Sequence, residues 1–450
     1  MLTKKSQMAL LASAVTGLGM LAGCGSSSKA ANSGKPVTIS VFVGKDTAQP
    51  QVQDALMTKL IHRFEKQNPK IKVTWSAYDS PSQENTRLET SLATHTGPDV
   101  YEFGSTLVPT AYATKAFRVL TAKDWAYLGG RSKFFPAQLT LSGPSPRKDI
   151  AVPEYVLPFG LLYNRTMFAA AGISSPPKTW AQFVRDAKKL TNPAKNQWGT
   201  VIDPSDPFDP WHIGWVLTRQ MGGNFVNAAD NHATLNSPTS VKALRFWFDW
   251  ITKFHIASPG DVTFKSADEL HAFENKQVAM LVMQGPTLIP SLNSSPVAKD
   301  YAFAPMPTVP YGRTSLPSGG VPVQTFVSGQ YYTVPNYLSN VQMQAALKWI
   351  KFVTSVRQQQ DFFKYYGYMP ANVAAYKGDS ALNTPEMKSF YQAELHAYPT
   401  PFIGAWGTVE IAYGGASSKI ADAIGTHTYH PGEIQSALNA ANQQVQAQLP

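Results

Sequence analysis

Apolar positions along this chain switch repeatedly between two periods. From Val37 to Val43 they alternate with polar ones, as in a strand. Val52, Leu56, Leu60, Ile61 and Phe64 then fall on one helix face, and Asn68-Pro69 stops that helix. Ile71 to Trp75 predicts the next strand. Strand, helix and strand in this order imply parallel pairing with a right-handed crossover. A second unit follows, with a helix over Gln83 to Ala93 and then the segment Gly97 to Gly104.

The stretch from Val152 to Asn164 is apolar and marked by prolines, and it predicts a buried strand. A helical patch from Thr166 to Ala171 ends at Gly172, a residue suited to the left-handed turn after a helix. Thr179-Trp180-Ala181-Gln182 fits a capping box, and Trp180, Phe183, Ala187 and Leu190 repeat behind it at helical spacing. Trp211 to Trp215 leads into a helix that ends at Gly222-Gly223. Ser237-Pro238 opens another, with Val241, Leu244, Phe248 and Ile251 as its buried stripe. Residues 303–337 are rich in Pro, Gly and Ser. Helices are expected from Ala345 to Gln360 and over Ile434, Leu438, Ala441, Val445 and Leu449.

The N-terminus changes the picture of where the chain resides. Lys4 and Lys5 precede an apolar run from Met8 to Ala22, shorter than the roughly 20 residues of a membrane span. Leu21-Ala22-Gly23-Cys24 has the form of a lipoprotein cleavage site, with Cys24 carrying lipid afterwards. Cys24 is the single cysteine of 450 residues, so the fold contains no disulfide. Gly25 to Gly34 is a Ser/Gly/Ala tether. About 415 residues follow it, too many for one core and suited to two lobes. The net charge of +10 would fall by two on removal of residues 1–23. Its charges are dispersed, which argues against a nucleic-acid partner but leaves an anionic ligand open.

Several segments together resemble one family. These are the proline-marked strand with Tyr163-Asn164, then Pro176-Pro177-Lys178-Thr179-Trp180, Phe64 to Pro69, Gly97-Pro98-Asp99-Val100, Phe273 to Met280, Gln284-Gly285-Pro286 and Gly367 to Ala371. Their order is similar to that of extracellular solute-binding proteins of bacterial ABC importers, in the carbohydrate group that includes maltose-binding proteins. The resemblance runs over about residues 37–449. It implies an α/β, two-lobed periplasmic-binding-protein fold with a cleft between lobes and more than one hinge crossing. The expected division is a signal peptide (1–23), lipidated Cys24 and tether (24–36), first lobe (37–150), second lobe (151–300), a return to the first lobe (301–370) and a C-terminal segment (371–450) in the second lobe and outer helices. A monomer is expected, outside the cytoplasm, and the cleavage site at Leu21 to Cys24 would anchor it through Cys24. Such a protein captures a sugar or oligosaccharide, hands it to ABC permease subunits and needs no cofactor or metal. The basic balance keeps an anionic polyol phosphate as an alternative ligand.

Enzyme signatures are scarce. Ser175 and Lys178 match a Ser-x-x-Lys pattern, but Pro176-Pro177 forbids the helical turn that would join them. His427 and His430 lack clustered carboxylates or cysteines and read as a surface loop. A secreted glycoside hydrolase is the enzyme alternative, since it also needs aromatics and two carboxylates. Nothing in the sequence pairs Asp79, Asp99 and Glu102.

Sugars present apolar faces to aromatic rings and hydroxyls to polar groups. The cleft of such a fold lies at the carboxyl ends of parallel strands. This selects Lys45, Asp46, Tyr78, Asp79, Glu102, Phe103 and Ser105 in the first lobe, Tyr155 and Leu157 on the crossing strand, and Trp211 and Trp406 in the second lobe. The family places an acid near Lys45-Asp46 and aromatics near Phe103, Trp211 and Trp406. Small neighbours around Trp406 suggest an uncovered ring. Gly319 and Gly320 could bring bare backbone to a ligand or form an ordinary turn. Two departures separate the chain from maltodextrin binders: Thr287 stands where they carry tryptophan, and Leu157 where they carry an acidic contact.

Overall fold

Strands β1 (Val37–Gly44) and β2 (Ile71–Tyr78) pair in parallel along their whole length, with the helix Pro50–Gln67 between them in sequence. The computed structural model describes residues 36–45, 50–79, 90, 94 and 96–450. The signal, Cys24 and its tether, Asp46 and all but position 90 of the helix expected over Gln83 to Ala93 lie outside those residues. β3 (Val100–Gly104) joins β1 in parallel. The remaining strands are β4 (Ala151–Val156), β5 (Gly160–Asn164), β6 (Val226–Asn227), β7 (His232–Ala233), β8 (Met280–Gln284), β9 (Tyr301–Ala304), β10 (Gly329–Thr333) and β11 (Met369–Pro370). They form a six-stranded sheet in the order β11–β4–β10–β3–β1–β2, a three-stranded sheet β8–β5–β9 and the small hairpin β6–β7. β10 runs antiparallel to both β3 and β4.

Each larger sheet founds one lobe, and the chain passes between them on the stretch expected to be one strand. The structure corrects that expectation: β4 lies in the first sheet, β5 in the second, and Leu157-Pro158-Phe159 separates them. Pro158 has no N–H to give a ladder. Its neighbours bond instead to the returning chain, Leu157 N to Ser328 O at 3.0 Å and Phe159 N to the Thr325 hydroxyl at 3.1 Å. That return leads from β9 to β10 and begins its strand at Gly329.

The second lobe buries an aromatic core in which Trp180, Trp211, Trp215, Trp247, Trp250 and Trp406 are essentially inaccessible. Trp180 starts the helix Trp180–Leu190 behind the expected capping box. Its indole N–H donates to Gln220 Oε1 at 2.7 Å, and Gln220 Nε2 donates to the Pro307 and Val323 carbonyls at 2.9 and 2.7 Å. The return crossing is thereby fastened to the lobe it leaves. Ser237 caps the helix Pro238–Thr252 with Pro238 in its first turn, as its sequence requires. The last helix, Gly432–Gln446, packs its apolar stripe on the helix Trp406–Gly425.

The helix expected from Ala345 to Gln360 is two helices, Asn340–Val353 and Val356–Tyr366. At the break Ser355 is extended (φ −76°, ψ 156°). The Asn372 amide donates to Thr354 O at 3.0 Å, so a side chain satisfies a carbonyl that a continuous helix would have used.

Candidate interlobe binding site

A cavity of about 560 Å³ lies between the sheets. Ser105 and Thr106, just past β3, form its first-lobe wall. Leu157, Phe159, Phe326 and Ser328 come from the two crossings. The second lobe supplies Asp203, Asp209, Trp211, His212, Glu269 and Gln284. Apolar rings and polar groups therefore face one space, the combination that fixes a small ligand by stacking and hydrogen bonding.

Local interactions hold these groups in place. Asp206 accepts from the Phe208 and Asp209 N–H groups at 2.9 and 3.0 Å and from the Ser266 hydroxyl at 3.1 Å. These bonds hold the Asp206 carboxylate below its usual range against the opposing effect of burial. The loop is thereby set, and the helix Pro210–Gln220 begins with Trp211 on the cavity. Trp211 meets Phe326 at 4.7 Å between centroids, and His212 lies 5.4 Å from Phe159 and 5.0 Å from Phe326. The crossings and the second lobe thus share one aromatic wall.

The ionisable groups of the cavity are almost all acids. Burial raises Asp209 to about 6, with Asp206 adding to the effect. Asp203 and Glu269 are raised well above the carboxylate range, first by burial and then by neighbouring acids. Burial also depresses His212 to about 3, so its ring is neutral at ordinary pH. Among the described residues, no lysine or arginine lines the cavity. No group of three or more His, Cys, Asp or Glu side chains among them converges to hold a metal ion.

The sequence profile described as bacterial extracellular solute-binding protein matches residues 47–360. The chain belongs to that family. A putative ABC transporter periplasmic-binding protein, YcjN of Escherichia coli K12, is 26% identical over 256 residues, 54% of each chain. The multiple sugar-binding protein of Streptococcus mutans is 23% identical and covers 77% of this chain and 78% of its own. The chain thus spans about half the length of YcjN, and 59% of a putative binding protein of Brucella abortus that is 20% identical over 262 residues. Among solved structures, maltose-bound MalE3 of T. maritima superposes with a TM-score of 0.74 at 23% identity, covering 92% of this chain and all of the other. The GacH receptor of Streptomyces glaucescens superposes at 0.73 with 18% identity, covering 92% and 100%. The fold is the two-lobed one of periplasmic binding proteins.

In this solute-binding protein the expected site residues separate into three groups. Ser105, Leu157 and Trp211 line the cavity. Lys45 and Asp79 are exposed and pair with each other at 2.7 Å, away from the lining. Tyr78, Glu102, Phe103 and Tyr155 are buried in the first lobe. Phe103 packs between Tyr101 and Phe117. Tyr155 stacks on Tyr368 at 4.2 Å. Glu102 accepts from the Gly44 N–H at 3.3 Å and adjoins Glu154, whose Oε1 receives the Tyr332 hydroxyl at 2.6 Å. Burial raises both carboxyls, Glu102 to about 8.

Trp406 is a correction. Its ring is fully buried, edge-on to Trp211 at 5.7 Å and to Trp215 at 6.4 Å. The small neighbours in its sequence leave room for these indoles, not for solvent. Gly319 and Gly320 are corrected too: they form a turn against the second lobe, and a side chain on Gly320 would approach Gln220 O to 2.5 Å.

Sequence reasoning passed over Asp203, Asp209, His212, Glu269, Phe159 and Phe326. One signal was available: Asp203-Pro204, Asp206-Pro207 and Asp209-Pro210 repeat an acid-proline pair every third residue. Glu269 and Phe326 carry no local mark, and only folding brings them to the cavity.

Proposed function

We propose that this protein captures a sugar or short oligosaccharide between its lobes and delivers it to an ABC permease. The observation that carries the reading is the cavity at the two crossings, walled by Phe159, Trp211 and Phe326 and edged with carboxyls, amides and hydroxyls. Rings cover the apolar face of a sugar, and the polar edge meets its hydroxyls. Two crossings that run side by side, joined by hydrogen bonds and the Phe159–Phe326 contact, allow hinge closure, and ligand contacts from both lobes stabilise the closed form. The named ligands of relatives support a carbohydrate, as in the multiple sugar-binding protein and the maltodextrin-binding protein MdxE of Bacillus subtilis. Absence of lysine and arginine from the described lining weighs against a polyol phosphate.

Location outside the cytoplasm agrees with the family, and we place the lipid anchor on Cys24. The working form is a monomer without cofactor or turnover. Calorimetry against a carbohydrate panel should give one site per chain, while reducing-end assays stay at background. Sustained release of reducing ends would replace the transport reading by hydrolysis. Cys24→Ala should move the protein from the membrane to the soluble fraction, and a wild type already soluble would refute the anchor.

A further inference from the structure

The acid-rich second-lobe wall carries an inference that rests on the sugar-binding reading and narrows its substrate class. Asp203, Asp209 and Glu269 face the cavity, and Asp206 and Asp261 stand behind them. Glu269 accepts from the Gln284 amide at 3.0 Å, and Asp209 is 3.6 Å from the neutral His212 ring. Asp206 is saturated by the bonds described above, and Asp261 accepts from the Ser258 N–H at 3.1 Å. Asp203 differs from all of them. It is 8% exposed, lines the cavity, and among the described residues its carboxyl has no partner beyond its own backbone.

A carboxyl buried to this degree without a donor is costly, because the interior replaces the water that solvated it. The ionisable neighbours that act most strongly on Asp203 and Glu269 are other acids. No lysine or arginine on the described lining balances them. Lobe closure would remove their remaining water. The missing donor and the missing positive charge are therefore best supplied by the ligand. With no metal-holding cluster among the described residues, that charge is an organic ammonium group.

We infer that the preferred ligand is an amino sugar with a free, protonated amine, seated with its ammonium group at Asp203 and its ring against the Phe159–Trp211–Phe326 wall. An ammonium group offers three donors and no acceptor, which matches a wall of acceptors. An N-acetylated sugar offers one amide donor and a carbonyl that would face carboxylates.

The test uses matched sugars on the full chain, by calorimetry at pH 7: glucosamine mono- and disaccharides, their N-acetylated twins, and glucose and maltose. The expected result is binding of the free amines at least about tenfold tighter than of their acetylated or hydroxyl counterparts, the size of a hydrogen bond to a charged group. Added salt should narrow the gap. Burial and the neighbouring acids keep Asp203 protonated in the empty cavity, and an ammonium group seated beside it favours the ionised form. Asp203→Asn, which keeps the shape and removes the group that can ionise, should abolish most of the preference. Its thermal unfolding checks that the variant is folded. Neutral sugars binding as well as the amines would overturn this inference and leave sugar capture standing. A preference unchanged in Asp203→Asn would overturn the assignment to Asp203. Binding of no sugar of either kind would defeat both readings.

Discussion

Two indoles in contact divide the work of the second lobe. Both are buried, but Trp211 lines the cavity beside Phe326 and Trp406 packs behind it, off the lining. Trp406→Ala should therefore cost about 3–5 kcal/mol of stability, the range for emptying a large aromatic site in a core. Trp211→Ala should also lower stability, since that ring is equally buried. It alone should in addition weaken sugar binding by roughly 2–4 kcal/mol per folded molecule, as a central aromatic contact does. Thermal unfolding and calorimetry on the same two variants separate the roles. A Trp406→Ala protein with unchanged apo stability and lost affinity would reverse them. Sequence context failed at Trp406 because small neighbours mark space near a ring without saying what fills it. The context of Trp211, after Asp209-Pro210, did not show its burial either, although the helix beginning at Pro210 puts it on the lining.

At the scale of elements, the crossings decide how the lobes relate. Gly329 opens β10 with φ +147°, and a Cβ there would strike the Tyr155 carbonyl oxygen on β4. This is one position where glycine is required both by backbone conformation and by close approach. Gly329→Ala should destabilise the protein by more than about 1 kcal/mol, since incompatible substitutions at positive φ exceed the usual gain from removing a glycine. Equilibrium denaturation of the variant measures it, and an unchanged midpoint would show that the crossing yields at little cost. The opening βαβ unit, the capping box at Thr179 and the Ser237-Pro238 start were all legible, because each depends on residues within one or two turns. The split of the 152–164 strand was half legible: Pro158 marked it, but the partners at Ser328 and Thr325 come from far along the chain. The break at Thr354-Ser355 was not legible, since its carbonyl is satisfied by Asn372 after folding.

For the whole molecule, buried acids set the response to pH. Burial raises Glu102, Asp261, Glu394 and Glu410 each to about 8 and Asp209 to about 6. Such a carboxyl holds its proton in the folded state over a range where the unfolded chain has lost it. Its stabilising contribution is present below the unfolded value, 3.8 for aspartate or 4.5 for glutamate, and is lost as pH rises through the folded one. His212 acts in the other sense: depressed to about 3, it costs stability as pH falls below 6.5. Five carboxyls outweigh one imidazole, so the melting temperature of the unliganded protein should fall between pH 5 and about pH 8. Scanning calorimetry across that range checks it, and a rise in melting temperature would mean the acids are ionised or solvated in the fold.

By itself the sequence determined the family, the two-lobed α/β architecture and the stretch on which the chain first crosses between lobes. The family and its two lobes came from the resemblance of ordered segments. The βα order and the crossing stretch follow from periodicity, caps and prolines, which act between near neighbours in the chain and so leave a local record. Only the tertiary structure decided which rings face the cavity, which acids are buried and which are paired. Lys45 and Asp79 close on each other at the surface, while the Asp203 carboxyl at the cavity has no side-chain partner among the described residues. Burial and charge pairing depend on groups brought together across hundreds of residues, and no local pattern encodes those meetings.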